Sequence, residues 1–348
     1  LVALCQFLPG PASSQVVFAL GMQRAGLLGA LVASLCFTLP SALLMIAFAY
    51  GVARATRFHD AGWLRGLELA ALAVVAQAVW GMGRKLCTDR ARVSLCVAAA
   101  ALLLIFPGAL TQLGVLVLGG LIGGWRYRDS VSVAPVPSAA SHARAHAAAA
   151  TALVLFAALL FILPALASMK ATKGIALFDS FYRSGALVFG GGHVVLPLLR
   201  AELVPQGWLS DDAFLAGYGA AQALPGPMFA FSAYLGAAMQ PGPVSGWRGL
   251  LCLFAIFLPA WLLIGGVLPF WHRLRAKRWA QAALAGANAT VVGLLLAALY
   301  DPVFTESVRS PHDLVLALLA FVLLEHWRVP PWLVVAASAA AGQYLLAA

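Results

Sequence analysis

Two short stretches of the chain carry the same uncommon arrangement of glutamine, proline and glycine. The first reads QFLPGP at residues 6–11 and the second reads QALPGP at residues 222–227. Proline donates no backbone hydrogen bond and disfavours helix at the residue before it, so each stretch ends one helix and allows another to begin. The new helix presents free N–H groups and the positive end of its dipole, which favour anions. The pattern therefore predicts a pair of anion-binding helix breaks.

Uncharged hydrogen-bond donors flank both predicted breaks. A glutamine stands three residues before the first proline of each copy, and serines follow in the next helical turns. The predicted contacts of the two copies are Gln6, Pro9, Gly10, Pro11, Ser13, Ser14, Gln222, Pro225, Gly226, Pro227 and Ser232. Because Met228 and Phe229 occupy the first turn of the second copy, we expect the first copy to make more of the polar contacts. A pair of packing kinks is the structural alternative.

A third interruption, FGGGHVVLPLL at residues 189–199, contains three glycines that allow a ligand to approach the backbone closely. Its predicted contacts are Gly190, Gly191, Gly192 and His193. The histidine is also a candidate coupling residue, because it can carry a proton, although a structural hydrogen bond is the alternative. Glu68 is the second coupling candidate; it lies three residues after Arg65, which favours either an ion pair near the membrane surface or a proton relay.

The composition indicates an integral membrane protein. Of the 348 residues, 63% are hydrophobic and 10% are charged, and the mean hydropathy is +0.93. Apolar runs long enough to cross a bilayer, about 17–25 residues each, occur at Trp63–Trp80, Ala149–Ala167, Gly249–Leu268 and Ala282–Tyr300. The net charge of +10 comes from clusters between these runs, which orient helices in membranes and do not indicate a nucleic-acid partner.

The five cysteines contain no C-x-x-C pair and lie mostly in apolar stretches, so the sequence predicts neither a disulfide framework nor a metal site. The absence of a P-loop motif argues against a nucleotide site, and no other cofactor is predicted. The lipid bilayer and a small anion are the expected partners, with a homo-oligomer left open.

The chain divides into two related halves. Residues 126–148, rich in serine, proline and alanine, are predicted to link a first repeat at 1–125 to a second at 149–348. The repeat register is 216 positions between Gln6 and Gln222 and 220 positions between Gly66 and Gly286. We therefore expect an all-α, polytopic transmembrane bundle of two homologous halves with helices broken at proline and glycine.

The loops predict that the two repeats are inverted. The loop RKLCTDRAR at residues 84–92 is strongly basic, whereas the equivalent DPVFTESVRS at residues 301–310 carries two acids and one base. If basic loops stay cytoplasmic, equivalent loops lie on opposite sides of the membrane. Only five residues precede Gln6, whereas the second repeat has a long glycine-rich segment before Gln222, so a truncation of the first repeat is also expected.

Four stretches resemble the chromate ion transporter (CHR) family, and the resemblance covers nearly the whole chain. They are QFLPGPASSQ, FGGGHVVLPLL, GWLSDDAFLAGYGAAQALPGP and FLPAWLL. The resemblance implies a two-domain member in a prokaryotic inner membrane that exports chromate from the cytoplasm and confers chromate resistance. It leaves open a sulfate-like substrate, with uptake or exchange in place of export.

Two other function classes are weighed against this interpretation. A carrier for cations or organic solutes would place acidic residues at the breaks, where the sequence has none. A membrane-embedded enzyme acting on lipids would need clustered carboxylates, paired histidines or an activated nucleophile, and the twelve acidic residues are scattered. The sequence therefore favours a secondary anion transporter.

Overall fold

The computed structural model describes residue 5 and residues 8–54, 62–127, 143–169, 173–188, 195–224, 226–240, 242–270 and 277–345. Within these ranges all regular structure is helical. The helices are α1 (Ala12–Arg54), α2 (Gly62–Leu86), α3 (Arg90–Ile105), α4 (Ala109–Arg126), α5 (Ala143–Ser168), α6 (Lys173–Leu187), α7 (Val195–Leu203), α8 (Asp211–Gln222), α9 (Phe231–Ala238), α10 (Gly246–Val267), α11 (Arg278–Ala298), α12 (Pro311–Glu325) and α13 (Pro331–Leu345). A π-helical segment (Leu299–Phe304) extends α11.

Five helices of the described chain are long and apolar enough to cross a membrane, and the four predicted apolar runs lie within them or their extensions. The five spans are Ala12–Ala53, Gly62–Leu86, His146–Ala167, Gly246–Phe270 and Arg278–Ser307. Large apolar side chains on their outer surfaces are exposed, among them Leu28 and Phe161. Such a surface matches a hydrocarbon solvent, so the polytopic helical bundle expected from composition is confirmed.

Helix α1 contains two segments that meet at a bend. Ala25 and Gly26 have non-helical backbone angles, with Gly26 at a φ of 60°. The segment before the bend corresponds to α9 of the second repeat, and the longer segment after it corresponds to α10. Both long helices keep the internal proline, Pro40 in α1 and Pro259 in α10.

The two halves of the chain are in contact at two close helix crossings. Helix α2 crosses α13 so closely that a Cβ on Gly66 would collide with the carbonyl oxygen of Ser338. Helix α11 crosses α4 in the same way, because a Cβ on Gly286 would collide with the carbonyl oxygen of Gly119. Small residues permit such close crossings in membranes. Under the predicted repeat register, the equivalent helices α2 and α11 therefore each pack on the last helix of the other half of the chain, at the matched glycines Gly66 and Gly286.

Polar contacts connect the beginning of α2 with the region just after α11. The Arg65 guanidinium donates to both carboxylate oxygens of Asp313, at 3.0 and 2.8 Å. The Ser307 hydroxyl lies 3.5 Å from the carbonyl oxygen of Glu68. The N-terminal end of α2 therefore lies on the same side of the bundle as the C-terminal end of its counterpart α11.

The predicted linker at 126–148 falls largely on residues 128–142, which lie outside the described residues. Helix α5 begins at Ala143, within the predicted linker and six residues before the predicted start of the second repeat. The predicted domain boundaries remain a prediction.

Candidate functional site

The first break lies directly before α1. Residues Leu8 to Pro11 are non-helical, Gly10 has a φ of 117°, and α1 starts at Ala12. The backbone N–H of Gly10 donates to the carbonyl of Val188 at 2.6 Å, which attaches the break to the end of α6. A positive φ at this position favours glycine, because it strains residues with a Cβ.

The second break separates α8 from α9. Helix α8 ends at Gln222, Gly226 has a φ of 146°, and Pro227 has extended backbone angles. A 3₁₀ turn, Met228–Ala230, precedes α9, so the α-helix starts three residues later than the sequence predicts. Both glycines have positive φ values. The predicted interruption between two helices is confirmed at the second copy, and at the first copy the described residues show a non-helical segment followed by the start of α1.

Each break lies against the residue that follows the internal proline of the long helix in the other half of the chain. A Cβ on Gly10 would lie 3.1 Å from Cβ of Ala260, the residue after Pro259 of α10. A Cβ on Gly226 would overlap the hydroxyl of Ser41, the residue after Pro40 of α1. The two contacts are equivalent under the repeat register. Each break is therefore in contact with a helix from the other half of the chain.

The lengths of the adjoining helices place both breaks deep in the bundle. Helix α8 has 12 residues and rises at most about 18 Å from its exposed start to the second break. The segment of α1 from Ala12 to the bend at Ala25 is of similar length, at most about 20 Å. Both lengths are shorter than the hydrocarbon core of a bilayer, which is about 30 Å thick, so neither segment by itself would cross a membrane.

Buried polar atoms without a hydrogen-bond partner among the described residues surround the first break. They include Ser14 Oγ, which belongs to a residue 1% exposed, and Gln15 Oε1, which belongs to a residue 0% exposed. The Gln15 Nε2 group donates to the Pro9 carbonyl at 2.6 Å, which braces the break. Burying an unpaired polar group costs about 1–3 kcal/mol. A bound ligand with acceptor oxygens would satisfy the Ser14 hydroxyl.

The predicted contacts differ in how available they are. Ser13 is exposed, and Gln222 Nε2 is a buried atom without a partner among the described residues. The Ser232 hydroxyl donates to the Phe229 carbonyl at 2.7 Å, so its proton is used within its own helix. Among the described contacts that were predicted, each break therefore has one buried donor without a partner, the Ser14 hydroxyl at the first break and the Gln222 amide at the second. The remaining predicted contacts lie outside the described residues; they are Gln6, Gly190, Gly191, Gly192, His193 and Pro225.

Three polar side chains near the breaks were missed by the sequence interpretation. Gln15, Thr38 and Ser184 are each at most 4% exposed, and each has a side-chain oxygen without a partner in the described part of the chain. Ser184 lies one turn before Val188, which binds the first break. The helical spacing of Thr38 and Ser41 about Pro40 is the signal that would have drawn attention to this face of α1.

Glu68 belongs to an ion-pair cluster at one end of the bundle. Arg309 lies 2.7 Å from the Asp212 carboxylate and 3.8 Å from that of Glu68, and the Arg65–Asp313 pair is adjacent. The cluster joins the N-terminal ends of α2, α8 and α12. The repeat counterpart of Glu68 is Asn288, a neutral residue, so the equivalent position of the second repeat has no carboxylate.

A cavity of about 200 Å³ lies elsewhere, between the α3–α4 loop, α7 and the π-helical segment after α11. Its polar lining residues are Gln112, Arg200 and Asp301. None of the predicted break residues lines this cavity. All five cysteines are free thiols, and no group of three or more metal-binding side chains is found in the described ranges.

Comparison with known proteins adds independent information. A family model described as "Chromate transporter" matches residues 1–125 and 175–343. The chain is 29% identical to a chromate transport protein of Pseudomonas aeruginosa over 89% of this chain and 72% of the relative. It is 26% identical to a chromate transport protein of Cupriavidus metallidurans over 98% of this chain and 81% of the relative. No solved structure matches significantly.

Proposed function

Since this chain belongs to the chromate transporter family, we propose that it is a secondary transporter that binds a tetrahedral oxyanion between its two helix breaks. The family consists of transporters and not of enzymes, so the alternative of a membrane-embedded enzyme is set aside. The protein is a multi-pass membrane protein with bacterial relatives. Chromate export across a prokaryotic inner membrane is the proposed activity, with sulfate as the main alternative substrate.

One observation carries the proposal: each break lies against the residue after the internal proline of the other long helix, and a buried donor without a described partner lies at each break, Ser14 at the first and Gln222 at the second. A tetrahedral oxyanion has four acceptor oxygens, which hydroxyls, amides and backbone N–H groups can meet. Two helix starts offset much of a double negative charge without a buried cation. The Ser14 hydroxyl and the Gln222 amide are suitable donors. Gln6, the three glycines at 190–192 and His193 are proposed to complete the site.

An inverted arrangement of the repeats is part of the proposal. The Arg65–Asp313 contact joins the start of α2 to the start of α12, which directly follows α11 and its extension. Parallel repeats would put the starts of α2 and α11 on the same side of the membrane, whereas inverted repeats put them on opposite sides. The contact supports the inverted arrangement. Alternating access would then move one repeat against the other about the glycine crossings.

Glu68 is proposed to couple proton movement to transport through the cluster with Arg309 and Asp212. The carboxylate is buried, and its ion pair with Arg309 is long at 3.8 Å. Protonation of Glu68 would remove its attraction for Arg309, so Arg309 would pair with Asp212 alone. Asp212 lies in the first turn of α8, and the second break follows the C-terminal end of that helix, so the change in pairing would act on the helix that leads to the break.

The decisive experiment measures equilibrium binding of chromate, sulfate, phosphate and molybdate to the purified protein, followed by chromate uptake into everted vesicles. We expect binding of at least one tetrahedral dianion. We also expect reduced uptake on replacement of Gln6 or Gln222, or in Pro9→Ala. Binding of none of the four anions would overturn the proposed function, and unchanged uptake in all three variants would overturn the site.

A further inference from the structure

Three buried hydroxyls form a row on the long segment of α1. Ser34, Thr38 and Ser41 are spaced by four and three residues, so they share one face of the helix, and each is at most 4% exposed. From the first to the last the helix rises about 10 Å.

The row joins the surroundings of the two breaks. At one end, the Trp261 indole N–H donates to the Ser34 hydroxyl at 3.0 Å, and Trp261 follows Ala260, which touches Gly10 of the first break. At the other end, the Ser41 hydroxyl lies against Gly226 of the second break. The hydroxyls therefore span the interval between the breaks.

The middle hydroxyl is free to bind a ligand. Thr38 Oγ1 is buried and has no hydrogen-bond partner among the described residues. Threonines in helices commonly bond back to a carbonyl of the preceding turn. Three others among the described residues do so: Thr151 donates to Ala147 at 3.0 Å, Thr290 donates to Ala287 at 2.8 Å, and Thr305 donates to Pro302 at 3.2 Å. The Thr38 hydroxyl makes no such bond to a described residue, so no hydrogen bond among these residues offsets the cost of burying it.

The fold does not require hydroxyls at these positions. Under the repeat register, 219 positions apart near the kinks, the counterparts on α10 are Leu253, Phe257 and Ala260. All three are apolar and buried. The same helix in the same architecture is thus packed without polar groups in the second repeat. The hydroxyl row is a property of the first repeat alone.

We propose that Ser34, Thr38 and Ser41 form a track that passes the dehydrated oxyanion from the first break to the second during transport. The proposal rests on the proposed function and adds to it the residues that carry the anion between the two breaks. A hydroxyl rotates to follow an acceptor and adds no full charge, so it stabilises a moving dianion without trapping it. Thr38, midway along the track, controls the rate of passage.

The test separates binding from passage. Thr38→Val keeps the side-chain shape and removes the hydroxyl, whereas Thr38→Ser keeps a hydroxyl at this position. Thr290→Val is the matched control, because it removes a buried hydroxyl that is already bonded to the Ala287 carbonyl. Equilibrium binding of sulfate and chromate to the purified variants is measured beside their uptake into proteoliposomes. We expect Thr38→Val to keep the dissociation constant within about threefold and to lose at least tenfold in uptake rate, with recovery in Thr38→Ser.

Failure of this inference and failure of the proposed function give different results. Uptake by Thr38→Val at the wild-type rate with intact binding would overturn the track alone, whereas no oxyanion binding by the wild-type protein would overturn both. Thr38→Cys supplies a second readout: an anionic methanethiosulfonate should modify it, and sulfate should slow that reaction at least tenfold. Cys36, exposed on the outer side of the same helix, is the control thiol. A Thr38→Cys thiol that reacts no faster than Cys36 would also refute the track.

Discussion

Replacement of Ser14 by alanine is expected to change stability and anion binding in opposite directions. The hydroxyl is buried without a partner among the described residues, so its removal relieves a desolvation penalty of about 1 kcal/mol in the anion-free protein. Such a gain raises the melting temperature by roughly 2 °C for a chain of this size. The same substitution removes a hydrogen bond to a charged ligand, which is worth about 1.5–3 kcal/mol. The anion dissociation constant should therefore rise about 10- to 100-fold.

Thermal unfolding of the purified protein in detergent measures both effects, first without anion and then over a sulfate or chromate titration. Thr290→Val is the matched control. Its hydroxyl is equally buried but bonded to Ala287, so the variant should lose about 1 kcal/mol of stability and keep its anion affinity. If Ser14→Ala instead loses stability without anion and binds as the wild type does, the hydroxyl is a structural group and the site at the first break is wrong.

Two further predictions concern the breaks and the orientation of the repeats. Gly226→Ala should destabilise the protein more than Gly10→Ala, because the new Cβ overlaps the Ser41 hydroxyl, whereas at Gly10 the nearest atom belongs to a long side chain; thermal unfolding measures the difference. Thr88→Cys and His312→Cys, each placed in a cysteine-free background, should react with a membrane-impermeant maleimide from opposite sides of the membrane.

Each of these predictions has its own control. Ser41→Gly should recover part of the stability lost in Gly226→Ala and none of the stability lost in Gly10→Ala. The loss that remains in the Gly226→Ala, Ser41→Gly double variant should be about 1–2 kcal/mol, the strain of an alanine at positive φ. Equal losses in the two glycine variants would contradict the reciprocal contact with the kinks. For orientation, each cysteine is also labelled after the cells are opened, which shows that it can react. Labelling of both residues from the same side would contradict inverted repeats.

Most of the helical architecture could be predicted from the sequence because hydrocarbon imposes strict requirements. A span must be apolar and long, and its backbone must be bonded within the helix, so α2, α10 and α11 are visible as apolar runs. Proline and glycine act locally, which is why both breaks were found from a few residues each. The delayed start of α9 was missed, because a 3₁₀ turn after proline leaves no mark in hydropathy.

The candidate site could be predicted only where its polar residues are close in sequence to the prolines of the breaks. The sequence identified Ser14 and Gln222 beside their prolines, and it missed Thr38, which is distant in sequence from both breaks. The expected local pairing of Glu68 with Arg65 was also incomplete, because Asp313 and Arg309, more than 240 positions away, supply the measured ion pairs.

By itself, the sequence indicated a membrane protein with broken helices, because both follow from local composition and backbone chemistry. It also predicted an internal repeat from matching residue spacings in the two halves. Only the tertiary structure shows that α2 crosses α13, that α11 crosses α4, and that each break meets the residue after the internal proline of the other long helix. Packing between distant segments decides such contacts, because a close crossing depends on which small residues face each other. The same packing determined which buried hydroxyls have hydrogen-bond partners among the described residues.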